Sequence, residues 1–245
     1  MPAPAPAPPA ADLAKRFGFD PVSESVMRLT QLVARRDAVA GDIAKIISQD
    51  KSLTRRLLRT ANPRAESEAD YGITTVEAGL ARIGMNWVLL LAMADPVMRA
   101  VHKTFATMCA IDLKQLTVNS MVPFEGEHVL GEVRFSGRAT GLVHLRMLPA
   151  AATLIAARLL SLPPEELGSP SEVDDVIGEL SNIVAGNFKS NLCDAKLDCK
   201  LSPPNITRTT DFKLQKPSGN VVERAGFHAP ELDLFVDISV NPWSE

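Results

Sequence analysis

One short stretch of the sequence places two carboxylates and an amide on one side of a predicted helix. It runs D-V-I-G-E-L-S-N-I-V-A-G-N from Asp175 to Asn187, and its apolar spacing predicts a helix. At about 100° per residue, Asp175, Glu179 and Asn182 project within roughly 60° of one another. The opposite side is apolar and consists of Val173, Val176, Ile177, Leu180, Ile183 and Val184. The same spacing is typical of any amphipathic helix, so by itself it indicates only a solvated polar face; Asn187, on the apolar side, is expected to be structural.

The remaining polar residues form no familiar catalytic pattern. None of the four histidines is followed by Asp or lies in an HExxH frame, and Cys109, Cys193 and Cys199 form no CxxC pair. The cysteines are too few for a disulfide framework or a thiolate zinc site, so we interpret them as small buried apolar residues. The strings GxxxxGK[S/T], GxGxxG and GxSxG are also missing, which argues against the common nucleotide-binding and hydrolase loops. We therefore expect this chain to bind no metal or cofactor.

Charge is distributed unevenly along the 245 residues. The chain has 26 Lys and Arg against 29 Asp and Glu, which gives a formal net charge of −3. Residues 1–105 contain 14 basic and 11 acidic groups and residues 106–245 contain 12 and 18, so the two parts carry +3 and −6. The longest apolar run, Trp87–Ala94, is far shorter than the roughly 18 residues of a membrane span, and the N-terminus has no signal-peptide pattern. We expect a cytoplasmic protein made of two unlike modules.

Apolar periodicity divides the chain into a tail, a helical part and a mixed part. Residues 1–19 are rich in Pro and Ala and indicate a flexible, extended tail. Residues 20–94 have helical spacing and predict a bundle of short helices, with the second beginning near Asp37. The elements predicted for residues 95–245 are strands at Val129–Phe135 and Gly141–Leu148, helices at Pro149–Ser161 and Glu172–Cys193, and a half-buried strand at 232–240. The expected fold class is α+β, with a helical bundle followed by a domain that has a mainly antiparallel sheet and helices on one face.

The helical part contains an extended pattern of apolar and basic residues. Asp50, Leu53, Arg56, Leu57, Leu58, Arg59, Ala61 and Asn62 spell D-x-x-L-x-x-R-L-L-R-x-A-N, and Tyr71-Gly72-Ile73, Ala78, Leu80 and Gly84 follow. This pattern resembles the HDOD family, which comprises helical signalling modules related to HD-type phosphohydrolases but lacking their metal ligands. The resemblance covers roughly residues 20–100, about half of a full HDOD domain, and so implies a truncated module.

The string E-L-S-N-I-V-A-G-N, which begins at Glu179, follows a predicted strand hairpin, an Ala-rich helix and a Pro/Gly loop. In this setting it resembles the CheC, CheX and FliY family of chemotaxis phosphatases, whose signature is Asp or Ser, three residues, Glu, two residues, Asn. Asp175, Glu179 and Asn182 match that signature without departure. The resemblance covers about residues 95–242. Some members of the family have two such helices, but the other candidate position for the signature in this chain, Met98–Ile111, has no Glu and no Asn. The resemblance is therefore nearer to CheX, whose members form homodimers.

The resemblance implies that this protein is a bacterial signalling phosphatase, which hydrolyses the aspartyl phosphate of a CheY-like response regulator. Asn182 would orient the attacking water, because an amide can accept and donate hydrogen bonds at the same time. Glu179 would pair with the active-site lysine of the regulator, and Asp175 would support this face or contact the partner at its edge. Magnesium would be held by the regulator rather than by this chain.

Two alternative functions remain open at the level of sequence. The first is a non-catalytic adaptor or dimerisation protein that binds a response regulator without turnover. The second is nucleic-acid or nucleotide recognition by the basic helical part. It is the less favoured of the two, because a run of basic residues is usually a solvated face. A membrane partner is not expected.

Overall fold

The computed structural model describes residues 24–33, 35, 38–84, 88, 97–98, 101–102, 104–116, 124–194, 197–212 and 221–241. The predicted tail at 1–19 and the predicted boundary between residues 94 and 95 lie outside these residues. No described helix combines the length and the apolar content that crossing a membrane would require.

The described helices of the N-terminal part bury the apolar stripes that the sequence predicts. They are α1 (Glu24–Val33), α2 (Ala40–Gln49), α3 (Lys51–Ala61) and α4 (Val76–Ile83), with a 3₁₀ turn at Glu68–Asp70. The carboxylate of Asp50 starts α3 by accepting from the backbone N–H groups of Ser52 and Leu53, at 2.9 and 3.1 Å. The predicted helical architecture is confirmed, although α2 begins at Ala40 rather than near Asp37.

Asn62, the last residue of the HDOD-like pattern, ties the end of α3 to the segment before α4. Its side-chain nitrogen donates to the carbonyl oxygens of Leu58 and Ile73, at 2.7 and 2.8 Å. Its side-chain oxygen accepts from the backbone N–H of Ile73 at 3.0 Å. These bonds satisfy backbone groups that neither helix can pair, so Asn62 has a structural role.

The described strands of the C-terminal part form one seven-stranded sheet. They are β1 (Lys114–Gln115), β2 (His128–Gly137), β3 (Thr140–Met147), β4 (Cys199–Leu201), β5 (Asn205–Thr209), β6 (Val221–Ala229) and β7 (Leu232–Asn241). Their order is β1-β6-β7-β3-β2-β4, with β5 paired to β2 beside β4. Every pair is antiparallel, which confirms the predicted sheet type.

Two helices, α5 (Pro149–Leu160) and α6 (Pro170–Asp194), lie on the same face of this sheet. α6 packs on β2, β3, β4 and β5, and α5 packs on α6, β7 and β2. The strand residues beneath them are fully buried and include Val133, Leu145, Val236 and Ile238. The helices therefore cover one face, as the sequence predicts.

The opposite face of the sheet is also buried over most of β7, and this corrects the prediction of a half-buried strand at 232–240. Asp233, near the start of β7, is exposed, but the outward residues that follow it are almost completely covered: Phe235, Asp237 and Ser239 are 2%, 0% and 0% exposed. The ring of Phe124 packs on Phe235 with centroids 4.6 Å apart, and the guanidinium of Arg146 lies 4.7 Å from the ring of Phe212. Because Phe124 and Phe212 are distant in sequence, the alternation within β7 alone could not predict this cover.

A helical segment with one buried side leads into the sheet. Within residues 97–108, positions 97–98, 101–102 and 104–108 are described and helical. Its fully buried side chains are Val97, Val101 and Phe105. Arg158 of α5 donates to the carbonyl oxygens of Cys109 and Ala110, at 3.5 and 3.3 Å, and so pairs with backbone groups just beyond the end of the helical segment. This contact joins the segment to the C-terminal part.

Candidate functional site

The candidate site lies on α6, which has 25 residues. Its first turn is tied to the preceding loop by Glu172, whose Oε2 accepts from the backbone N–H of Gly168 at 2.7 Å. The side facing the sheet is apolar and well buried, with Val173, Ile177, Leu180, Val184 and Phe188 between 0% and 5% exposed. Burial of this stripe sets which side of α6 remains available to a partner.

The three predicted site residues lie on the side of α6 away from the sheet. Asp175 and Glu179 are exposed and Asn182 is half-buried. Among the described residues, none of these three side chains has a hydrogen-bond or ion-pair partner. Gly186, one turn beyond Asn182, is buried, so the open face ends close to Asn182.

A very close approach between α6 and β2 sets the height of the helix above the sheet. A Cβ added to Gly131 of β2 would lie 2.0 Å from Oγ of Ser181 and 3.0 Å from its Cβ. Ser181 is buried, and its Oγ donates to the carbonyl oxygen of Ile177 at 2.7 Å. A glycine in the strand and a small residue in the helix are both needed for this contact.

A charged pair joins the first turns of α6 to β5. Arg208 donates through Nη2 to Oδ1 of Asp174 at 2.7 Å and through Nε to Oδ2 at 3.5 Å. Both side chains are partly buried, with 28% and 30% exposed. Asp174 directly precedes Asp175, so the pair holds the end of α6 at which the polar face begins.

The other residues singled out from the sequence have structural environments. Asn187 is buried and donates to the carbonyl oxygen of Ile183 at 3.0 Å, which agrees with the structural role expected for it. Cys109 and Cys199 are buried and Cys193 is half-buried. Burial raises the pKa of the Cys109 and Cys199 thiols to about 11, so these two groups are neutral and poor nucleophiles at ordinary pH.

A second polar cluster lies on the sheet face away from α6. Arg146 is 4% exposed, and its guanidinium carbon lies 5.2, 4.7 and 4.7 Å from the ring centroids of Phe124, Phe212 and Phe235. Desolvation by burial lowers the pKa of Arg146. Beside it, Nε2 of His144 lies 2.8 Å from a carboxylate oxygen of Glu132. No group of three or more His, Cys, Asp or Glu that could hold a metal is found in the described part of the chain.

The residues that support the site were not identified from the sequence. Gly131 interrupts an apolar strand, a signal that can mark the close approach of another element. Ser181 lies inside the signature string, but nothing in the string indicates what it contacts. Nothing in the sequence indicates that Arg208 contacts α6, because its partner Asp174 is 34 positions away.

Two family models match different parts of the chain. Residues 129–227 match the family of the chemotaxis phosphatase CheX, and residues 20–122 match the HDOD domain. Each resemblance inferred from the sequence is thus confirmed for its own part of the chain. The HDOD match extends beyond roughly residue 100, where the resemblance found in the sequence ends. No curated protein matches the chain.

Solved structures of CheX-like and CheC-like proteins share the fold of the C-terminal part. Chemotaxis protein CheX from Vibrio vulnificus is 19% identical with a TM-score of 0.51, and a CheC-like superfamily protein from Shewanella sp. PV-4 is 20% identical with a TM-score of 0.52. A chemotaxis protein CheX from Desulfovibrio desulfuricans is 15% identical with a TM-score of 0.50. The alignments cover 60% of this chain and 95%, 96% and 97% of those proteins.

Proposed function

We propose that this protein dephosphorylates a CheY-like response regulator by hydrolysing its aspartyl phosphate, as part of bacterial chemotaxis or related cytoplasmic signalling. The observation that carries the proposal is the placement of Glu179 and Asn182 on the open face of α6, within a region that matches the CheX family. Their polar groups have no partner among the described residues, as a site completed by another protein requires.

The reaction needs little from this chain, because an acyl phosphate is already activated for hydrolysis. The regulator supplies magnesium and a lysine that neutralise the phosphoryl oxygens. The Asn182 amide oxygen accepts a hydrogen bond from a water molecule and holds it in line with the phosphorus. The water oxygen forms the new P–O bond, the acyl P–O bond breaks, and aspartate leaves as a carboxylate while the protons pass to phosphate and solvent.

Glu179 and Asp175 are assigned to docking. The Glu179 carboxylate pairs with the regulator's active-site lysine, and this charge-assisted bond forms only in the complex and sets its register. Asp175, one turn nearer the start of α6, contacts the partner at the edge of the interface. A negative face suits a partner that brings its own cations, so no metal ligand is assigned to this chain.

The test is the decay of regulators from the source cell that have been phosphorylated with a small-molecule donor. The wild-type protein should accelerate decay of one of them. Asn182→Ala should reduce the rate at saturating regulator about 100-fold, because a positioned group in the transition state is lost. Glu179→Ala should raise KM about tenfold or more, because it removes an ion pair to the partner. Glu165→Ala, which changes an exposed carboxylate between α5 and α6, is the matched control and should behave as wild type.

Binding measurements separate this function from that of an adaptor. If a regulator binds tightly but its phosphate lifetime is unchanged and insensitive to Asn182→Ala, the protein is an adaptor and the phosphatase assignment is wrong.

We also propose that the protein is a homodimer, by resemblance to CheX. Light scattering should then give twice the chain mass of 26.4 kDa, whereas a single chain mass would refute the dimer.

A further inference from the structure

The orientation of α6 depends on more than its apolar face. Hydrophobic burial is non-directional and does not by itself fix a long helix against small rotations and tilts. The close contact between Gly131 and Ser181 fixes α6 near its middle. Asp175 and Glu179 lie on the N-terminal side of that contact, so a second constraint toward this end would determine how they are presented.

The contact between Arg208 and Asp174 supplies such a constraint. Arg208 uses two nitrogens on the two carboxylate oxygens of Asp174, a paired geometry that restricts direction as well as distance. Its backbone is held in the sheet, because β5 pairs with β2 and Arg208 lies opposite Val129. One side of the contact is therefore a paired strand, and the other is the second turn of α6.

A neighbouring carboxylate provides a natural comparison. Oε2 of Glu127 lies 3.9 Å from Nη1 of Arg208, and the Glu127 side chain is 50% exposed. At that distance and exposure the attraction is weak and screened by solvent. Glu127 also precedes β2 and is not part of α6, so removing it leaves the link between Arg208 and the helix in place.

We propose that Arg208 is a positioning residue for the candidate phosphatase site. Through Asp174 it holds the N-terminal half of α6 in the orientation that presents Glu179 and Asn182 together to the phosphorylated regulator. Arg208 does not contact the reacting atoms in this assignment. The inference rests on the proposed function, because it takes α6 to be the catalytic helix.

The kinetic test uses the full chain and the same regulator assay, with rates normalised to the folded fraction. Arg208→Ala should lower kcat about tenfold and raise KM about threefold, because it misplaces both Asn182, which orients the water, and Glu179, which docks the regulator. Arg208→Lys should recover part of kcat, and Glu127→Ala should match wild type. The double variant Asp174→Ala with Arg208→Ala should be no slower than either single variant, because both remove the same contact.

Amide hydrogen exchange, which needs no regulator, provides a second measurement. Arg208→Ala should speed exchange in the first turns of α6 while Glu127→Ala leaves it unchanged. Unchanged exchange in Arg208→Ala, or faster exchange with an unchanged kcat, would overturn the positioning role. If wild-type protein accelerates no regulator's decay, the proposed function fails, and the positioning role for catalysis fails with it; the exchange result then decides only whether Arg208 anchors α6.

Discussion

Asn182 and Glu179 differ in exposure, and the difference suits the tasks proposed for them. Asn182 is half-buried next to the covered Gly186, so its side chain loses less freedom when it orients a water molecule. Glu179 is exposed and can extend toward a lysine on a partner surface. Exposed positions contribute little to stability, so loss of activity on changing Glu179 would reflect the interface rather than the fold.

The buried thiols make a prediction about pH. Burial raises the pKa of Cys109 to about 11 in the folded protein, above the value of 9.0 for an exposed thiol. A thiol whose pKa is raised by folding binds its proton more tightly in the folded state than in the unfolded state. Its contribution to the free energy of unfolding is therefore complete below the unfolded pKa and is lost as the pH rises through the folded pKa. We expect the free energy of unfolding to fall between about pH 9 and pH 11, and we expect Cys109→Ala to reduce that slope.

Urea unfolding at several pH values measures this slope directly. Cys109→Ala leaves a small cavity, which should lower stability by the same amount at every pH. The informative quantity is therefore the difference in pH dependence between the two proteins. Identical slopes would contradict a buried Cys109 thiol that resists ionisation.

At the scale of elements, the height of α6 above the sheet depends on Gly131. In Gly131→Ala the new Cβ meets Ser181, which must give up its bond to Ile177 or move with the helix. We expect a loss of about 1–3 kcal/mol in the free energy of unfolding, measured by urea denaturation. Adding Ser181→Gly removes the clashing atoms and should restore part of the loss.

Gly41 provides the matched control for this substitution. It lies in α2, and a Cβ added there would meet no atom within 4 Å. Gly41→Ala should therefore stabilise the protein by about 0.5–1 kcal/mol, because alanine favours the helix more than glycine does. Equal effects of the two substitutions would show that the contact between α6 and β2 is looser than described.

At the scale of the whole molecule, the helical part and the sheet share one apolar core. The buried cluster includes Leu29 and Leu57 from the helical part, Phe105 from the connecting segment and Val236 from β7. We expect a single cooperative transition by calorimetry, with the measured and van't Hoff enthalpies equal. Two separate transitions would contradict this expectation.

Arg158 tests the junction between the two parts. It contacts the carbonyl oxygens of Cys109 and Ala110, and its Nη2 lies 3.6 Å from a carboxylate oxygen of Glu231. Arg158→Ala should lower the free energy of unfolding by about 1 kcal/mol, because these long and partly exposed contacts are weak. Arg158→Lys should lower the free energy of unfolding by a smaller amount. If Arg158→Ala leaves the free energy of unfolding unchanged, the junction depends on apolar packing alone.

Much of the fold could be predicted because local sequence patterns report which side of an element is apolar. The strict alternation from Leu232 onwards predicts β7, and the capping carboxylate of Asp50 marks the start of α3. Short strands could not be found in this way, because β4 has three residues and β5 has five, too few to show a period. Pairing with β2 forms them as strands, and pairing is a long-range property.

For the candidate site, the sequence by itself determined which residues share the polar face of α6, because the helical period follows from the backbone geometry. The helical spacing alone is therefore enough to group Asp175, Glu179 and Asn182. Only the tertiary structure decided that this face is open, that Gly131 sets the height of α6, and that Arg208 reaches Asp174 from another strand. Those contacts join residues far apart in the chain, and no local period encodes a distance across the fold.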